Sequence, residues 1–385
     1  MGLPLAISFA QADFEVYGLD TNSDKINKIK LGESPVEDIS SDVLVKLIKS
    51  AKFIPTDDAS VISVSNIIIV CVPTPLNSVH EPDLTFLQSA IQTLSRHISK
   101  GALIIVESTI APGTMRDFVI PLIEKFSGFP IQNFEIAYSP ERVDPLNKIW
   151  NLKNTAKIVA GFTEHARIMA KDLYSTIIED IIEANSFEAA ETAKLLENAF
   201  RLVNISLINE ISIFCQAAEI DINEVVKLAA TKPYGFMAFY SGLGAGGHCI
   251  PVDPIYLSHK AKEFGVPMNL IEAANKVNVQ MPSRFVDMAE KMLGGLHDKK
   301  ILVLGVSYKS NLADVRESPV APLISELRQK GSNVFWHDDL VKIWNGEVST
   351  PLGEDYDLAI LATPHNYFDL TKLGDVPVLN TRGSI

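Results

Sequence analysis

Short unbroken apolar runs alternate with stretches of helical period through the first half of the chain. Ile67-Ile68-Ile69-Val70-Cys71-Val72 is stopped by Pro73-Thr74-Pro75. Leu103-Ile104-Ile105-Val106-Glu107 ends in Ser108-Thr109, and Phe134-Glu135-Ile136-Ala137-Tyr138 ends in Ser139-Pro140-Glu141-Arg142. These runs are short, and most lack the alternation of a half-exposed strand, so they read as strands covered on both faces. Leu84 to Ile98 has the period of a helix. Such alternation predicts a mostly parallel, doubly wound α/β sheet. Ligands of these sheets lie beyond the carboxyl ends of the strands, where Thr74, Thr109 and Glu141 fall.

The opening residues carry the same signal. Residues 3–12 read as a helix and residues 14–20, Phe14-Glu15-Val16-Tyr17-Gly18-Leu19-Asp20, as a buried strand ending in an acid. A strand-terminal acid one helix after a glycine is the ribose end of a dinucleotide fold. The carboxylate accepts ribose hydroxyls and repels a 2′-phosphate, which favours NAD over NADP. An Asp that only caps a turn is the plain alternative. Gly2 stands where the motif's third glycine would be, so the N-terminal sheet is expected without its first strand. A wrongly assigned start is one explanation, and a truncated inactive homologue is another. The opening could pass for a signal-peptide core, but it has no basic segment and the next residues complete a different pattern.

Beyond residue 186 the period changes. Glu188 to Ala218 is long, apolar and free of Gly and Pro, which suits a helical spine packed against a partner subunit. A further helical stretch runs from about Ile255 to Leu293, and Gly294-Gly295-Leu296-His297 reads as a hinge. Lys299 to Val306 then opens a second strand–turn–helix unit, with later strands at 333–338 and 358–363. The expected organisation is two Rossmann-like doubly wound domains, residues 1–186 and 297–385, joined by a long-helix central and dimerisation region, residues 187–296.

Composition narrows the partners. The 385 residues carry a net charge of −13, which argues against nucleic acid or an anionic membrane surface. Cys71, Cys215 and Cys249 are odd in number and widely spaced, so they imply neither a metal pattern nor a disulfide framework. A reducing cytoplasm is the default. No apolar run is long enough to span a bilayer.

Three segments carry candidate chemistry. Gly244-Ala245-Gly246-Gly247-His248-Cys249-Ile250-Pro251-Val252-Asp253-Pro254 places a thiol and then a carboxylate after glycines that let a ligand approach the backbone. A tight turn with an inert buried cysteine is the alternative. Lys194 and Asn198 lie four apart on a helix, with Arg201 nearly one turn on, so the pair could hold an oxyanion. A solvated face with Glu191 and Glu197 is the competing reading. Tyr308 to Pro319 places Lys309 and Arg316 in the loop after a strand, where such folds hold phosphates and sugars, or where a polar connection would also lie.

Taken together the motifs resemble the UDP-glucose/GDP-mannose dehydrogenase family. The likeness runs through Gly2-Leu3-Pro4-Leu5-Ala6, Val16 to Asp20, Gly32-Glu33-Ser34-Pro35, Cys71 to Pro75, Glu107-Ser108-Thr109 with Pro112-Gly113-Thr114, Ser139 to Pro145, Lys194 with Asn198, Gly246 to Pro254 and Tyr308 to Pro319. It implies NAD-dependent, four-electron oxidation of a UDP-sugar C6 alcohol to the acid, through a thiohemiacetal and a thioester on Cys249. It implies catalytic roles for Cys249, Lys194, Asn198, Asp253, Thr109 and Glu141. Gly2, Asp20, Lys25, Thr74, Thr109 and Arg316 would bind NAD. Arg142, Val143, Lys194, Asn198, Arg201, Gly246, Tyr308, Lys309 and Arg382 would grip the UDP-sugar. A homodimer or higher homo-oligomer is implied.

Ala230-Thr231-Lys232-Pro233-Tyr234-Gly235-Phe236-Met237 looks like the UDP-N-acetylglucosamine 6-dehydrogenase branch. It lacks the His-Pro-Arg-type stretch of the UDP-N-acetylmannosamine branch; UDP-glucose stays open as a substrate. Ser241-Gly242-Leu243-Gly244-Ala245 departs from a Pro-Gly-Pro-Gly-Leu-type run, which weakens the case for a rigid loop and for an exact substrate fit. A plain two-electron hydroxyacid dehydrogenase is the other enzyme class to weigh.

Overall fold

The computed structural model describes residues 2–36, 39–144, 147 and 149–383. Pro145 of the Ser139–Pro145 motif therefore lies outside the described residues. The chain forms two compact units, Met1–Leu196 and Glu197–Ile385.

The first unit begins with α1 (Gly2–Gln11), β1 (Val16–Leu19), α2 (Ser23–Lys30), α3 (Ser41–Lys49) and β2 (Phe53–Thr56). It continues through β3 (Ile67–Val70), α4 (Thr85–His97), β4 (Leu103–Val106), α5 (Ile120–Ser127), β5 (Glu135–Tyr138), β6 (Lys157–Gly161), α6 (Glu164–Ser175) and β7 (Ile181–Glu183). Asn22, Ser40 and Thr163 each accept a backbone N–H at a helix start, which explains where α2, α3 and α6 begin. Strands β3-β4-β5-β6-β7 form one sheet, parallel except between β5 and β6.

Strand β4 shows why its sequence is unbroken apolar. Ile104 and Val106 pack with Leu87, Ile91 and Leu94 of α4, while Leu103 and Ile105 pack with Leu5, Phe9 and Leu173 on the opposite face. Both faces are buried, so every position is apolar. Strand β1 pairs with β2 alone. Among the described residues the strands of this unit fall into a pair and a five-stranded sheet, with β1 and β3 at sheet ends and half-buried.

Helix α7 (Phe187–Ala217) is one continuous helix of 31 residues, about 46 Å long at 1.5 Å per residue. The second unit adds α8 (Ile222–Ala229), α9 (Asp253–Glu263) and α10 (Asn269–Leu293). The single stretch expected over Ile255–Leu293 is thus two helices. Gly265, at φ +72°, ends α9: its N–H reaches Lys262 O and the Val266 N–H reaches Ala261 O. This pattern is a Schellman stop. At the expected hinge, Gly294 caps α10 in the left-handed conformation.

The second sheet contains β8 (Lys300–Leu304), β9 (Asn333–His337), β12 (Leu358–Leu361) and β13 (Val378–Asn380), all parallel in the order β13-β12-β8-β9. Helix α11 (Val320–Gln329) follows β8, and a hairpin of β10 (Ile343–Trp344) and β11 (Glu347–Val348) lies between β9 and β12. Leu302 to Leu304 and Leu358 to Ile360 are fully buried.

Candidate active site

In the second unit, α7 and α10 hold the glycine loop by side-chain amides. Asn209 of α7 accepts the Gly242 N–H at 2.9 Å. Asn278 of α10 accepts the Ala245 N–H at 2.6 Å and donates to the Ala245 carbonyl at 3.3 Å. These contacts tie the loop at two points through buried amides. A Cβ on Gly246 would lie 2.6 Å from Glu317 O and 2.8 Å from Tyr308 Cβ; one on Gly247, at φ +82°, would lie 2.8 Å from the Tyr308 ring. These two glycines therefore admit the Tyr308–Pro319 loop to close contact. The sequence suggested that they admit a ligand to the backbone.

Cys249 follows directly and its side chain is exposed. Its carbonyl accepts the N–H groups of Val252 and Asp253 at 3.2 and 2.9 Å, which opens α9. The inert-cysteine alternative describes Cys215 instead, which is buried in α7. Asp253, in the first turn of α9, accepts a 2.6 Å bond from Asn198 Nδ2, and both residues are buried. Lys194, one turn earlier on α7, is also buried, so a solvated face is the wrong reading for this pair. Arg201 is exposed.

The Tyr308 loop is folded on itself: the Tyr308 N–H donates to Asp314 O at 3.0 Å. Arg316, itself exposed, points Nε at both Asp314 oxygens, at 2.8 and 3.0 Å. Burial opposes the charge on Asp314, but the side-chain and backbone hydrogen bonds from Arg316, together with its charge, outweigh it and hold the carboxyl below its usual range. Burial, and then the Arg316 charge, push His248 down. The Arg382 carbonyl, just beyond β13, accepts from Asn223 of α8.

In the first unit, Asp20 stands at the carboxyl end of β1. Its Oδ1 accepts the Asn22 N–H at 3.0 Å and its Oδ2 pairs with Lys25 at 2.6 Å, so these two predicted residues meet. A Cβ on Gly2 would lie 3.4 Å from Cys71 Cβ, so α1 starts in close contact with the end of β3. Thr74 and Thr109 are half-buried in the loops after β3 and β4. Glu141 is buried and accepts the Val143 N–H at 2.6 Å; Arg142 donates to Ala156 O at 2.6 Å.

Beside Glu141 lies a buried ionic cluster that sequence reasoning missed. Lys157 Nζ sits 2.8 Å from Glu107 Oε1 and 3.9 Å from Glu141 Oε2, over the Tyr174 ring. The Tyr174 hydroxyl also donates to Glu107. Burial pushes Glu107 up, against the pull of Lys157. Burial disfavours the Lys157 charge, but the two carboxylates outweigh it and keep the amine above its usual value. Glu107 stood inside a recognised motif, but nothing in the spacing marks Lys157, since β6 is otherwise apolar.

Glu191 corrects the sequence reading that placed it on a solvated face. It is fully buried and accepts the Gly113 and Met115 N–H groups at 2.7 and 2.9 Å. Burial raises its pKa from 4.5 to about 7, with the two backbone donors opposing. The folded state holds this proton more tightly than the unfolded one. Its contribution is complete below pH 4.5 and lost as pH rises through about 7. Across that window the cost is about 3 kcal/mol. Urea midpoints taken from pH 5 to 8 should fall more steeply for the wild type than for Glu191→Gln.

Residues 1–178 match the NAD binding domain of the UDP-glucose/GDP-mannose dehydrogenase family, residues 188–280 its central domain and residues 302–382 its UDP binding domain. The chain is 33% identical to a UDP-N-acetyl-D-glucosamine 6-dehydrogenase of Pseudomonas aeruginosa, over 97% of this chain and 92% of that one. It is 34% identical to a UDP-N-acetyl-D-mannosamine dehydrogenase of Pyrococcus horikoshii, over 96% and 88%. The solved UDP-D-ManNAc dehydrogenase of Pyrococcus horikoshii superposes with a TM-score of 0.91 at 32% identity, covering 99% of this chain and 93% of that one. Dinucleotide-fold strands, a thiol at the mouth of α9 and matches to all three domains lead to one assignment: the chain belongs to the UDP-glucose/GDP-mannose dehydrogenase family, NAD-dependent oxidoreductases acting on the CH–OH group of nucleotide sugars.

Proposed function

We propose that this protein oxidises the C6 alcohol of a UDP-N-acetylhexosamine to the carboxylate through a thioester on Cys249. The observation that carries the reading is the exposed Cys249 thiol directly ahead of α9, whose buried Asp253 holds Asn198 at 2.6 Å. NAD, when bound, would supply the acceptor for one hydride in each of the two oxidations. The Asp20–Lys25 pair at the end of β1 and the side-chain-free start of α1 suit its adenosine end. Thr74, Thr109 and Arg316 are proposed as its further contacts.

After the first oxidation the Cys249 sulfur attacks the aldehyde carbon, giving a thiohemiacetal. The second oxidation leaves a thioester, which water cleaves to the acid and the free thiol. The Asn198 amide, pinned by Asp253, keeps its second N–H for the oxyanion at C6, with the Lys194 ammonium as its counter-charge. Thr109 and Glu141 would hold water and pass protons on the nicotinamide side. Tyr308, Lys309, Gly246, Arg142, Val143, Arg201 and Arg382 would bind the UDP-sugar.

Exposed Phe200, Leu207 and Phe214 recur every seven residues along α7, so they share one face. That stripe suits packing against a second copy of the chain. Three free cysteines suit a reducing compartment such as the cytoplasm, and among the described residues no helix is long and apolar enough to cross a membrane.

The Ala230–Met237 segment favours the gluco epimer. The test is to count NADH released per sugar with UDP-N-acetylglucosamine, UDP-N-acetylmannosamine and UDP-glucose supplied separately. Two per sugar, fastest with the gluco epimer, is expected. One NADH per sugar would indicate a two-electron dehydrogenase and end the reading. A faster reaction with the manno epimer would reverse the epimer assignment.

A further inference from the structure

The second unit contains a buried histidine that the chemistry above does not use. His365 follows β12 with its side chain fully buried, stacked on Tyr367 at 5.0 Å and edge-on to Phe368. Its Nδ1 lies 2.8 Å from the Asn311 backbone N–H. An amide N–H can only donate, so Nδ1 must be the unprotonated nitrogen and Nε2 must carry the hydrogen. Nε2 faces Asp338 Oδ2 at 3.2 Å and Ser307 Oγ at 3.3 Å. Ser307 Oγ gives its own hydrogen to Lys309 O at 3.0 Å, so it can only accept from the ring. Asp338 is fixed in turn by the backbone N–H groups of Val306, Leu340 and Val341.

The network therefore ties together the carboxyl ends of β8, β9 and β12, where ligands of doubly wound sheets bind. The segment it holds is Ser307 to Asn311, which carries Tyr308 and Lys309. Asn311 is left-handed, at φ +62°, and its side chain also accepts the Asn366 N–H at 2.9 Å. Asn adopts this conformation more readily than other side chains, and its bonds to His365 and Asn366 hold it there. Tyr308 in turn lies against Gly246 and Gly247, ahead of Cys249.

We propose that His365, oriented by Asp338, is a positioning residue that sets the Ser307–Asn311 loop for the nucleotide half of the substrate. This rests on the reading that Tyr308 and Lys309 grip that nucleotide. The effect falls on UDP affinity and KM, while kcat at saturating sugar stays within about threefold.

Calorimetric titration of the full chain with UDP tests it, with Lys309→Ala as the benchmark. His365→Leu loses all three polar contacts, to Asn311, Asp338 and Ser307. His365→Gln retains a donor for Asp338 but moves the acceptor away from Asn311, whereas His365→Asn keeps an acceptor near the Nδ1 position. Leu and Gln should weaken UDP binding about tenfold to a hundredfold, and Asn should stay within about fivefold of wild type. The Gln and Asn pair decides the matter should the Leu variant fail to fold. Wild-type affinity in the Leu or Gln variant overturns the inference, as does equal weakening by Gln and Asn. Should Lys309→Ala leave UDP binding unchanged, the underlying reading of the loop falls. Should Lys309 matter and His365 not, only the present inference falls.

Discussion

Replacing Cys249 with alanine should reduce acid formation at least about 10⁴-fold, because the covalent step then has no nucleophile. The side chain is exposed, so the fold should be unaffected, with stability within about 0.5 kcal/mol of wild type. Two measurements separate loss of chemistry from loss of structure. Urea unfolding should superimpose on wild type while NADH at saturating UDP-sugar falls from two per sugar to at most one, because only the first oxidation precedes the attack by sulfur. Intact-mass spectrometry of wild type quenched during turnover should show the sugar nucleotide attached to the protein, and the variant should show none. Normal turnover by the alanine variant would remove the thioester scheme. Serine is a useful companion, because it retains a hydroxyl of similar size but is a much weaker nucleophile at neutral pH.

Lys157→Met should destabilise the first unit by about 3–5 kcal/mol, the cost of leaving a buried carboxylate without its cation. Glu107 is 1% exposed and Lys157 4%, so water cannot replace the lost partner. The pair cannot be judged by its Coulomb energy alone, because burying two charges offsets most of that gain. The asymmetric removal is what costs. Lys157→Met with Glu107→Gln should therefore recover much of the loss, a coupling readable in a double-mutant cycle by urea denaturation. The single variant should also suffer less in mild acid. Burial already pushes Glu107 up, and without the cation the carboxyl takes up a proton sooner as pH falls. A single variant as stable as wild type, or a double variant worse than the single, would show that the cluster does not hold this end of the sheet.

The recognised motifs and the buried network differ in how legible they are. Cys249, Asp253, Lys194 and Asn198 stood out as candidates because the proposed chemistry depends on residue type at close spacing along one element, four apart on a helix or within one loop. Asp20 stood out as a strand-terminal acid, while Lys25 entered only through the family resemblance. The pairing of Glu107 with Lys157 was not legible, since Glu107 follows β4 and Lys157 opens β6, with α5 and β5 between them in the chain, and the two meet only through the sheet. Asn209 and Asn278 look like ordinary polar positions on helices until the loop they hold is folded between them. Glu191 was misread outright. Its charge suggested solvent, whereas two backbone N–H groups of the loop before α5 draw it inside.

Element type followed from local pattern. Period 3.6 specified α4 and α7, and the unbroken apolar runs specified β3, β4, β8 and β12, because burial on one stripe or on both faces dictates those spacings directly. The division of Ile255–Leu293 into two helices needed the left-handed Gly265, whose effect depends on the φ it adopts. Alone, the chain's linear order determined the fold class and the cofactor class and singled out Cys249 as the candidate thiol, all of which rest on residues close in sequence. Tertiary structure decided which charges are buried, which amides hold the thiol's loop, and which tautomer His365 takes. Those outcomes depend on desolvation and on hydrogen bonds between distant segments, and the sequence carries no local trace of either.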